Sequence, residues 1–154
     1  MNSQIFRFLA AVAVVVALTA SAGANAPAGR YVVTNGGTSS GTVYDTKTKL
    51  TWQQTVPSTT YTWANAKTYC AGVGASLGGA GWRLPTLKEL QTIVDYSQSN
   101  PSIDSTAFPS TPAHIFWCSS PLAGSAPGAW GVSFYNGYTD NVDVPHTRYV
   151  RCVR

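Results

Sequence analysis

The sequence is poor in charged residues, and this shortage limits the partners that it predicts. Its 154 residues include only 10 Lys or Arg and 6 Asp or Glu, for a formal net charge of +4. The basic residues are scattered, without the Lys/Arg block that marks a nucleic-acid-binding tail. The charge therefore permits an anionic partner without demanding one, and we expect no nucleic-acid partner.

Several motifs that carry chemistry are also missing. The three cysteines form no C-x-x-C pair and no Cys/His cluster at zinc spacing. His114 and His146 each lie in a predicted loop close to a proline, with no His-x-x-x-His or Ser/His/Asp arrangement around them. We therefore expect solvated or locally bonded histidines, no catalytic residues, and no cofactor other than a candidate Ca²⁺ ion near the C-terminus.

The one long apolar run lies at the N-terminus. Residues 8–18 are hydrophobic, follow a single arginine, and lead into small residues that include two A-x-A triplets. This layout predicts a secretory signal peptide over residues 1–26, and the run is shorter than the roughly 20 residues that span a membrane. Cleavage is expected after Ala22 or Ala24, because Pro27 would block a cut after the last triplet. The mature chain should be secreted, periplasmic or on the cell surface, with no membrane span.

Composition and periodicity then divide the remainder into a tether and one domain. Residues 27–40 are rich in Gly, Ser, Thr and Asn, which predicts a flexible tether, and residues 41–154 are expected to form a single domain. The predicted elements are a hairpin over 41–54, a helix over 62–73, a second helix from Leu87 to near Ser97, a loop over 100–112, and strands over 115–120, 129–135, 138–144 and 148–153. This order predicts an α+β domain with two helices beside antiparallel strands.

Two local signals are sharper than the rest. Thr86 and Glu89 have the spacing of a capping box, in which each side chain bonds the backbone amide of the other residue. Asn136-Gly137 is the preferred pair for a two-residue type I′ hairpin turn.

The cysteines predict a disulfide and a spare thiol. Cys70 falls on the apolar face of the first helix, and Cys152 shares a face with Val150 on the last strand. A bridge between them would restrain the unfolded chain by about 4 to 5 kcal/mol. Cys118 is left over, and its neighbours Phe116 and Trp117 favour a buried thiol that acts as a small hydrophobe. An intermolecular disulfide and a catalytic thiol are the alternatives.

Candidate ligand-binding residues surround the Asn-Gly turn. Tyr135 and Tyr138 flank the turn, and Asp140, Asn141 and Asp143 follow it. Aromatic faces beside polar side chains suit sugar rings, which stack their apolar faces and hydrogen-bond at their edges. Asp140 and Asp143 also offer the hard oxygen ligands that Ca²⁺ prefers, although solvated carboxylates in a turn are the other interpretation.

Arginines add a candidate anion contact. Arg148 and either Lys47 or Lys49 are free to meet an anionic ligand, whereas Arg83 and Arg151 are predicted to be structural.

The residues that carry a family resemblance are spread over the predicted domain. They are Gly41-x-Val43-x-Asp45, Leu50-x-Trp52-Gln53, Trp63-x-x-Ala66-x-x-Tyr69-Cys70, Trp82-Arg-Leu-Pro-Thr-x-Lys-Glu-Leu90, Phe116-Trp117-x-Ser119-Ser120 and Tyr149-Val-Arg-Cys-Val-Arg154. This pattern resembles the Lcl C-terminal domain family of bacterial exported domains, named for the end of a collagen-like adhesin. The resemblance implies a compact fold similar to C-type lectins and formylglycine-generating enzymes, in which a cysteine of the first helix pairs with one of the final strand.

The resemblance also implies a function. The adhesin that names the family binds sulfated polysaccharides, so we expect an exported, non-catalytic binding module for an extracellular polysaccharide or a surface protein. The alternatives are a formylglycine-generating-type cysteine oxidase that works through Cys118, and a structural subunit of a surface assembly. The chain departs from the family pattern at Cys118, where Ser or Thr is expected, and it has no collagen-like repeat.

Overall fold

Two antiparallel sheets and three short helices follow one another in the computed structural model, which describes residues 26–34, 41–124 and 127–154. The elements are β1 (Tyr31–Thr34), β2 (Thr42–Asp45), β3 (Thr51–Gln53), α1 (Trp63–Gly72), α2 (Gly74–Leu77), α3 (Leu87–Gln91), β4 (Ile115–Pro121), β5 (Gly128–Ser133) and β6 (Thr139–Asp143). The predicted α+β class is confirmed. The predicted signal peptide lies outside the described residues, apart from Ala26.

The first sheet has the strand order β1-β2-β3. Strand β1 pairs with β2 from Tyr31 opposite Asp45 to Thr34 opposite Thr42, so the N-terminal half of the predicted tether belongs to the fold. The tether prediction is wrong for Tyr31–Thr34. The β-branched residues of this short run favour a strand, but the Gly/Ser/Thr-rich stretch that follows it led to the prediction of a tether. Residues 35–40 of the tether lie outside the described residues.

Threonine side chains cap the first turns of α1 and α3. The Thr62 side chain accepts a hydrogen bond from the Asn65 amide at the start of α1, and Ala66 and Cys70 face the core. The capping box at the start of α3 is confirmed, with the Thr86 side chain accepting from the Glu89 amide. None of the helices in the described ranges is long and apolar enough to cross a membrane.

Helix α3 is shorter than predicted, because it ends at Gln91 instead of near Ser97. Beyond Gln91 the hydrogen bonds change to the 3₁₀ pattern, in which the Ile93 and Val94 amides donate to carbonyls three residues earlier. Ile93 therefore stays buried, as the apolar stripe predicted, although the α-helix has ended.

The second sheet has the strand order β4-β5-β6. The turn between β5 and β6 is longer than the predicted two-residue type I′ turn: the Gly137 amide donates to the Ser133 carbonyl, and the Ser133 amide donates to the Tyr138 carbonyl. Gly137 has a φ of 82°, whereas Asn136 is not among the residues with positive φ. Type I′ geometry needs positive φ at both positions, so the prediction is wrong.

The C-terminal segment, residues 148–154, joins the two sheets. It forms isolated bridges in place of the predicted strand, because its partners change along its length: Tyr61 pairs with Arg148, Phe116 with Tyr149, and both Trp52 and Arg83 with Val153. Its side chains still alternate as predicted, with Val150 and Cys152 in one core cluster and Val153 in the other. The predicted disulfide between Cys70 and Cys152 is confirmed.

Arg151 is the largest charged side chain in the core, and it is fully buried. Its Nη1 donates to the carbonyl oxygens of Gln53 and Gln54, its Nη2 donates to the Thr111 hydroxyl, and its guanidinium lies 4.7 Å from the centre of the Phe108 ring. Burial lowers the pKa of Arg151 to about 9. These contacts make it a structural residue.

Candidate functional site

The predicted ligand-binding residues lie in three parts of the fold. Tyr135 and Tyr138 are in the β5–β6 turn, Asp140, Asn141 and Asp143 are on β6, and Arg148 is in the C-terminal segment. The turn and the C-terminal segment each belong to a larger arrangement that the sequence did not reveal.

Three tyrosines surround the β5–β6 turn and form what we call the tyrosine patch: Tyr96, Tyr135 and Tyr138. They are 68%, 57% and 69% exposed, respectively. The Tyr96 hydroxyl donates to the Gly137 carbonyl at 3.4 Å, and the Asn100 amide donates to the Tyr135 carbonyl at 2.9 Å. The segment after α3 therefore packs against the turn and holds the patch together.

Gly137 makes this packing possible. A Cβ atom at this position would lie 2.7 Å from Val94 Cγ1 and 2.8 Å from Tyr96 Cε1, and the residue also has positive φ. Only glycine meets both conditions without strain. The sequence predicted Tyr135 and Tyr138 from their position beside the turn, but it placed Tyr96 in the second helix, where no signal links it to the turn.

The acidic residues of β6 do not converge. Asp140 lies opposite Gly131 in the sheet and shares a face with the buried Val142, whereas Asn141 and Asp143 lie on the other face. Asp140 and Asp143 therefore point to opposite sides of β6. Within the described ranges, no group of three His, Cys, Asp or Glu side chains is placed to hold a metal ion.

Arg148 lies at an open cavity of about 350 Å³, which we call the Arg148 groove. The groove is lined by Thr60, His114, Ile115, Thr147, Arg148 and Tyr149. It forms where the C-terminal segment enters the fold, because the backbones of Tyr61 and Arg148 exchange two hydrogen bonds of 2.9 Å. The sequence predicted Arg148 as an anion contact but not the groove, because Thr60, His114 and Ile115 are distant from Arg148 in the chain.

The described residues that line the groove offer hydrogen-bond donors and include no carboxylate. Arg148 Nη1 donates to the Thr147 carbonyl at 2.8 Å, and the Thr60 hydroxyl donates to the Thr147 hydroxyl at 3.0 Å. The His114 and Tyr149 rings stack with their centres 5.7 Å apart. His114, predicted to be solvated, is exposed, and it lies at the groove as well.

The groove and the β5–β6 turn are neighbours across the second sheet. Ile115 of the groove pairs with Ser133, and the Ser133 amide donates to the carbonyl of Tyr138 in the tyrosine patch at 2.8 Å. Adjacent strands are about 4.8 Å apart, so the backbones of Ile115 and Tyr138 are separated by about 10 Å, or two strand spacings.

Cys118 has the surroundings of a structural residue. It is fully buried in the core cluster with Phe116 and Val132, and it is the free cysteine because Cys70 and Cys152 are paired. Burial raises the pKa of the Cys118 thiol to about 12. The thiolate, which is the reactive form, is therefore disfavoured at neutral pH.

Together these features define a small α+β domain in which a disulfide ties the first helix to the C-terminal segment. The chain belongs to the Lcl C-terminal domain family, whose model matches residues 41–154, and the resemblance drawn from the sequence is thereby confirmed. A search of the curated proteins found no match to the chain.

Proposed function

We propose that the chain is an exported, non-catalytic binding module whose tyrosine patch binds an extracellular polysaccharide. One observation carries the proposal: Tyr96, Tyr135 and Tyr138 are each more than half exposed around one turn. An exposed group of aromatic side chains marks a contact surface, since such side chains are otherwise used to fill a core. Tyrosine offers a flat apolar face for a sugar ring and a hydroxyl for its edge.

Neighbouring polar groups support a sugar ligand. Asp140 and Asn141 are exposed on the first half of β6, directly after the turn. Because they lie on opposite faces of β6, each offers acceptors or donors for sugar hydroxyls on its own face, while the tyrosines offer stacking faces. Export is supported by the signal-peptide pattern and by the disulfide between Cys70 and Cys152, since disulfides persist in oxidising compartments.

We assign no oxidase chemistry to Cys118. A working cysteine pair needs a second free thiol or a nearby base, and Cys118 is a buried free cysteine whose pKa is raised. A surface protein remains the alternative ligand for the tyrosine patch, and it would be bound by the same exposed rings.

A glycan array tests the proposal, with the mature chain compared to Tyr96→Ala, Tyr138→Ala and Tyr44→Ala. We expect the first two variants to bind at least about tenfold more weakly, a loss of about 1.4 kcal/mol. Tyr44→Ala is the matched control, because Tyr44 is a 36% exposed tyrosine on the other sheet. Equal binding by all variants would rule out the patch as the binding surface. No binding to any glycan would favour the protein ligand.

A second candidate, a subunit of a surface assembly, is favoured by the free edge of β1. Val32 is 49% exposed and pairs with Tyr44 on β2, so an apolar strip lies beside backbone groups that no other strand of the described residues pairs with. Light scattering should then show concentration-dependent association that Val32→Lys abolishes. A wild-type chain that is monomeric at every concentration, with and without reductant, would contradict this candidate.

A further inference from the structure

Two open cavities flank the first described residues of the chain. One, of about 310 Å³, is lined by Ala26, Pro27 and Asp95 among others, and we call it the Asp95 cavity. The other, of about 160 Å³, is lined by the same Ala26 and Pro27 and by Asp104. The chain at Ala26 therefore lies beside two cavities that each contain a carboxylate.

Asp95 has an oxygen atom that no hydrogen bond uses. Its Oδ1 accepts from the Ser97 amide at 3.0 Å and from the Ser97 hydroxyl. Its Oδ2 is buried and has no hydrogen-bond partner among the described residues. A buried carboxylate oxygen without a partner is unfavourable, so a donor is expected to complete the site.

The charges of Asp95 and Asp104 are also not balanced. The ion pairs within the described ranges include neither carboxylate. Arg30 lines the Asp95 cavity, but its Nε and Nη2 donate to the Asp45 carboxylate, and its Nη2 also donates to the Thr92 carbonyl. The charge of Arg30 is therefore matched by Asp45, and the cavity keeps the negative charge of Asp95.

The predicted removal of the signal peptide creates a cation at this point of the chain. Hydrolysis of the peptide bond between Ala24 and Asn25 consumes one water, and it leaves a carboxylate on Ala24 and an ammonium group on Asn25. Because Asn25 directly precedes Ala26, covalent geometry keeps this ammonium nitrogen within about 5 Å of Ala26 Cα. A charged group with three N–H donors suits a carboxylate oxygen that lacks a partner.

We infer that the Asp95 cavity binds the α-ammonium group of a mature chain that starts at Asn25, through an ion pair with Asp95. The inference rests on the export in the proposed function and adds a role for processing. In the uncleaved chain the nitrogen of Asn25 is an uncharged amide, so the pair forms only after cleavage. Tyr96 of the tyrosine patch also lines the cavity, so cleavage completes the support of the patch.

The first test measures the pKa of the α-amine in two chains without added residues. One starts at Asn25 and the other at Gly23, the start that the alternative cut after Ala22 would give. Reductive methylation with ¹³C-formaldehyde labels the amine, and its NMR signal is followed against pH. We expect a pKa about half a unit above the ordinary range of about 7.7 to 8.0 for the Asn25 start only, because two more residues move the ammonium away from Asp95. Equal values in the two chains would overturn the inference.

Matched variants of the chain that starts at Asn25 identify the partner. Asp95→Asn should return the pKa of the amine to its ordinary range. Asp143→Asn should not, because Asp143 is an exposed carboxylate on β6 that lines neither cavity. An equal fall in both variants would show a general effect of charge and would overturn the inference, as would a fall in Asp104→Asn alone.

Neighbouring groups must not titrate in place of the amine. Besides Asp95, the titratable side chains that line the two cavities are Arg30, Tyr96, Tyr31 and Asp104. The pKa values of Arg30 and Tyr31 are both raised, Arg30 chiefly by its hydrogen bond to Asp45 and Tyr31 chiefly by burial. Because the ¹³C label is on the amine, its signal separates the amine from the tyrosines and the carboxylates.

The second test is independent of any polysaccharide. A raised folded-state pKa of the amine stabilises the fold below the unfolded pKa, and this contribution is lost as the pH rises through the folded pKa. In mildly acidic buffer, acetylation of the Asn25 amine should therefore raise the equilibrium constant for unfolding in urea about threefold in wild type and leave it unchanged in Asp95→Asn. Equal effects in both would overturn the inference, even if the tyrosine patch binds a glycan. Mass spectrometry of the exported protein should find Asn25 as the first residue, and any other start would also overturn it.

Discussion

The ion pair between Arg30 and Asp45 allows a test of whether residues before Gly41, where the family match begins, stabilise the fold. Arg30 Nε donates to Asp45 Oδ1 at 3.1 Å and Arg30 Nη2 donates to Asp45 Oδ2 at 2.8 Å. Arg30 Nη2 also donates to the Thr92 carbonyl at 2.6 Å, so the arginine joins the first sheet to the end of α3. Arg30 lies outside residues 41–154, whereas its partner Asp45 is inside.

The perturbation is Arg30→Met, which removes the charge and keeps most of the side-chain volume. Asp45 is fully buried, and the Arg30 side chain is 15% exposed. Breaking a buried pair by removing one partner costs about 3 to 5 kcal/mol, because the other charge is left uncompensated. The partial exposure of Arg30 and the two other donors to Asp45, the Lys47 amide and the Thr48 hydroxyl, place the expected loss near the lower limit, at about 3 kcal/mol.

Urea unfolding monitored by tryptophan fluorescence measures the loss, with Asp45→Asn and the double variant completing a cycle. The double variant should recover part of the loss, because the uncharged amide that replaces the Asp45 carboxylate no longer needs a cation. A chain that begins at Gly41 lacks both Arg30 and β1, and it should be less stable than Arg30→Met. A change below about 0.5 kcal/mol, the usual range of surface substitutions, would refute the reasoning.

The pH dependence of the same cycle gives an independent check. Burial opposes ionisation of Asp45, but hydrogen bonds from Arg30, the Lys47 amide and Thr48 lower its pKa below the ordinary value. A lowered folded-state pKa stabilises the fold above the unfolded pKa, and this contribution is lost as the pH falls through the folded pKa. The difference between wild type and Arg30→Met should therefore shrink in acid. A constant difference would mean that the Asp45 charge is not its cause.

Three further predictions concern the disulfide, the second ion pair and the free thiol. Replacing Cys70 and Cys152 by alanine, which opens a bridge of sequence separation 82, should lower the free energy of unfolding by about 4 to 5 kcal/mol in urea titrations, and an unchanged midpoint would contradict this. The hydrogen bond from Arg83 is the main cause that lowers the pKa of Glu89 from 4.5 to about 2. The ion pair should contribute about 1 kcal/mol to the free energy of unfolding, because both side chains are partly exposed. This contribution should be lost as the pH falls from 4.5 toward 2, and Glu89→Gln should remove the pH dependence. The same loss of stability in acid in the variant would contradict the assignment. Cys118 should resist thiol reagents in the native state and react in urea, and fast native labelling would show that it is accessible.

What the sequence predicted well depends on local interactions. The capping box joins Thr86 to Glu89, three residues later, and the inward position of Cys70 follows from helical periodicity. The alternation of Val150 and Cys152 holds as well, because an extended chain alternates its side chains whether or not a regular ladder forms. Contacts of this kind join residues that are close in the chain, so the spacing of residue types predicts them.

What the sequence did not predict depends on contacts between distant segments. The β5–β6 turn is longer than Asn136-Gly137 suggests because the Asn100 and Ser102 amides bind the carbonyls of Tyr135 and Phe134. These contacts bring Tyr96 to the turn, and they leave no periodic pattern in the sequence. The Arg148 groove has the same origin, since segments around residues 60, 114 and 148 meet only in the folded chain.

The tyrosine patch and the Arg148 groove differ in what holds them in place. The C-terminal segment lines the groove at Arg148 and Tyr149, and it is tied to α1 through Cys152. The tyrosine patch is instead held by the segment after α3, through Tyr96 and Asn100. A perturbation that loosens the C-terminal segment therefore acts on the groove before it acts on the patch.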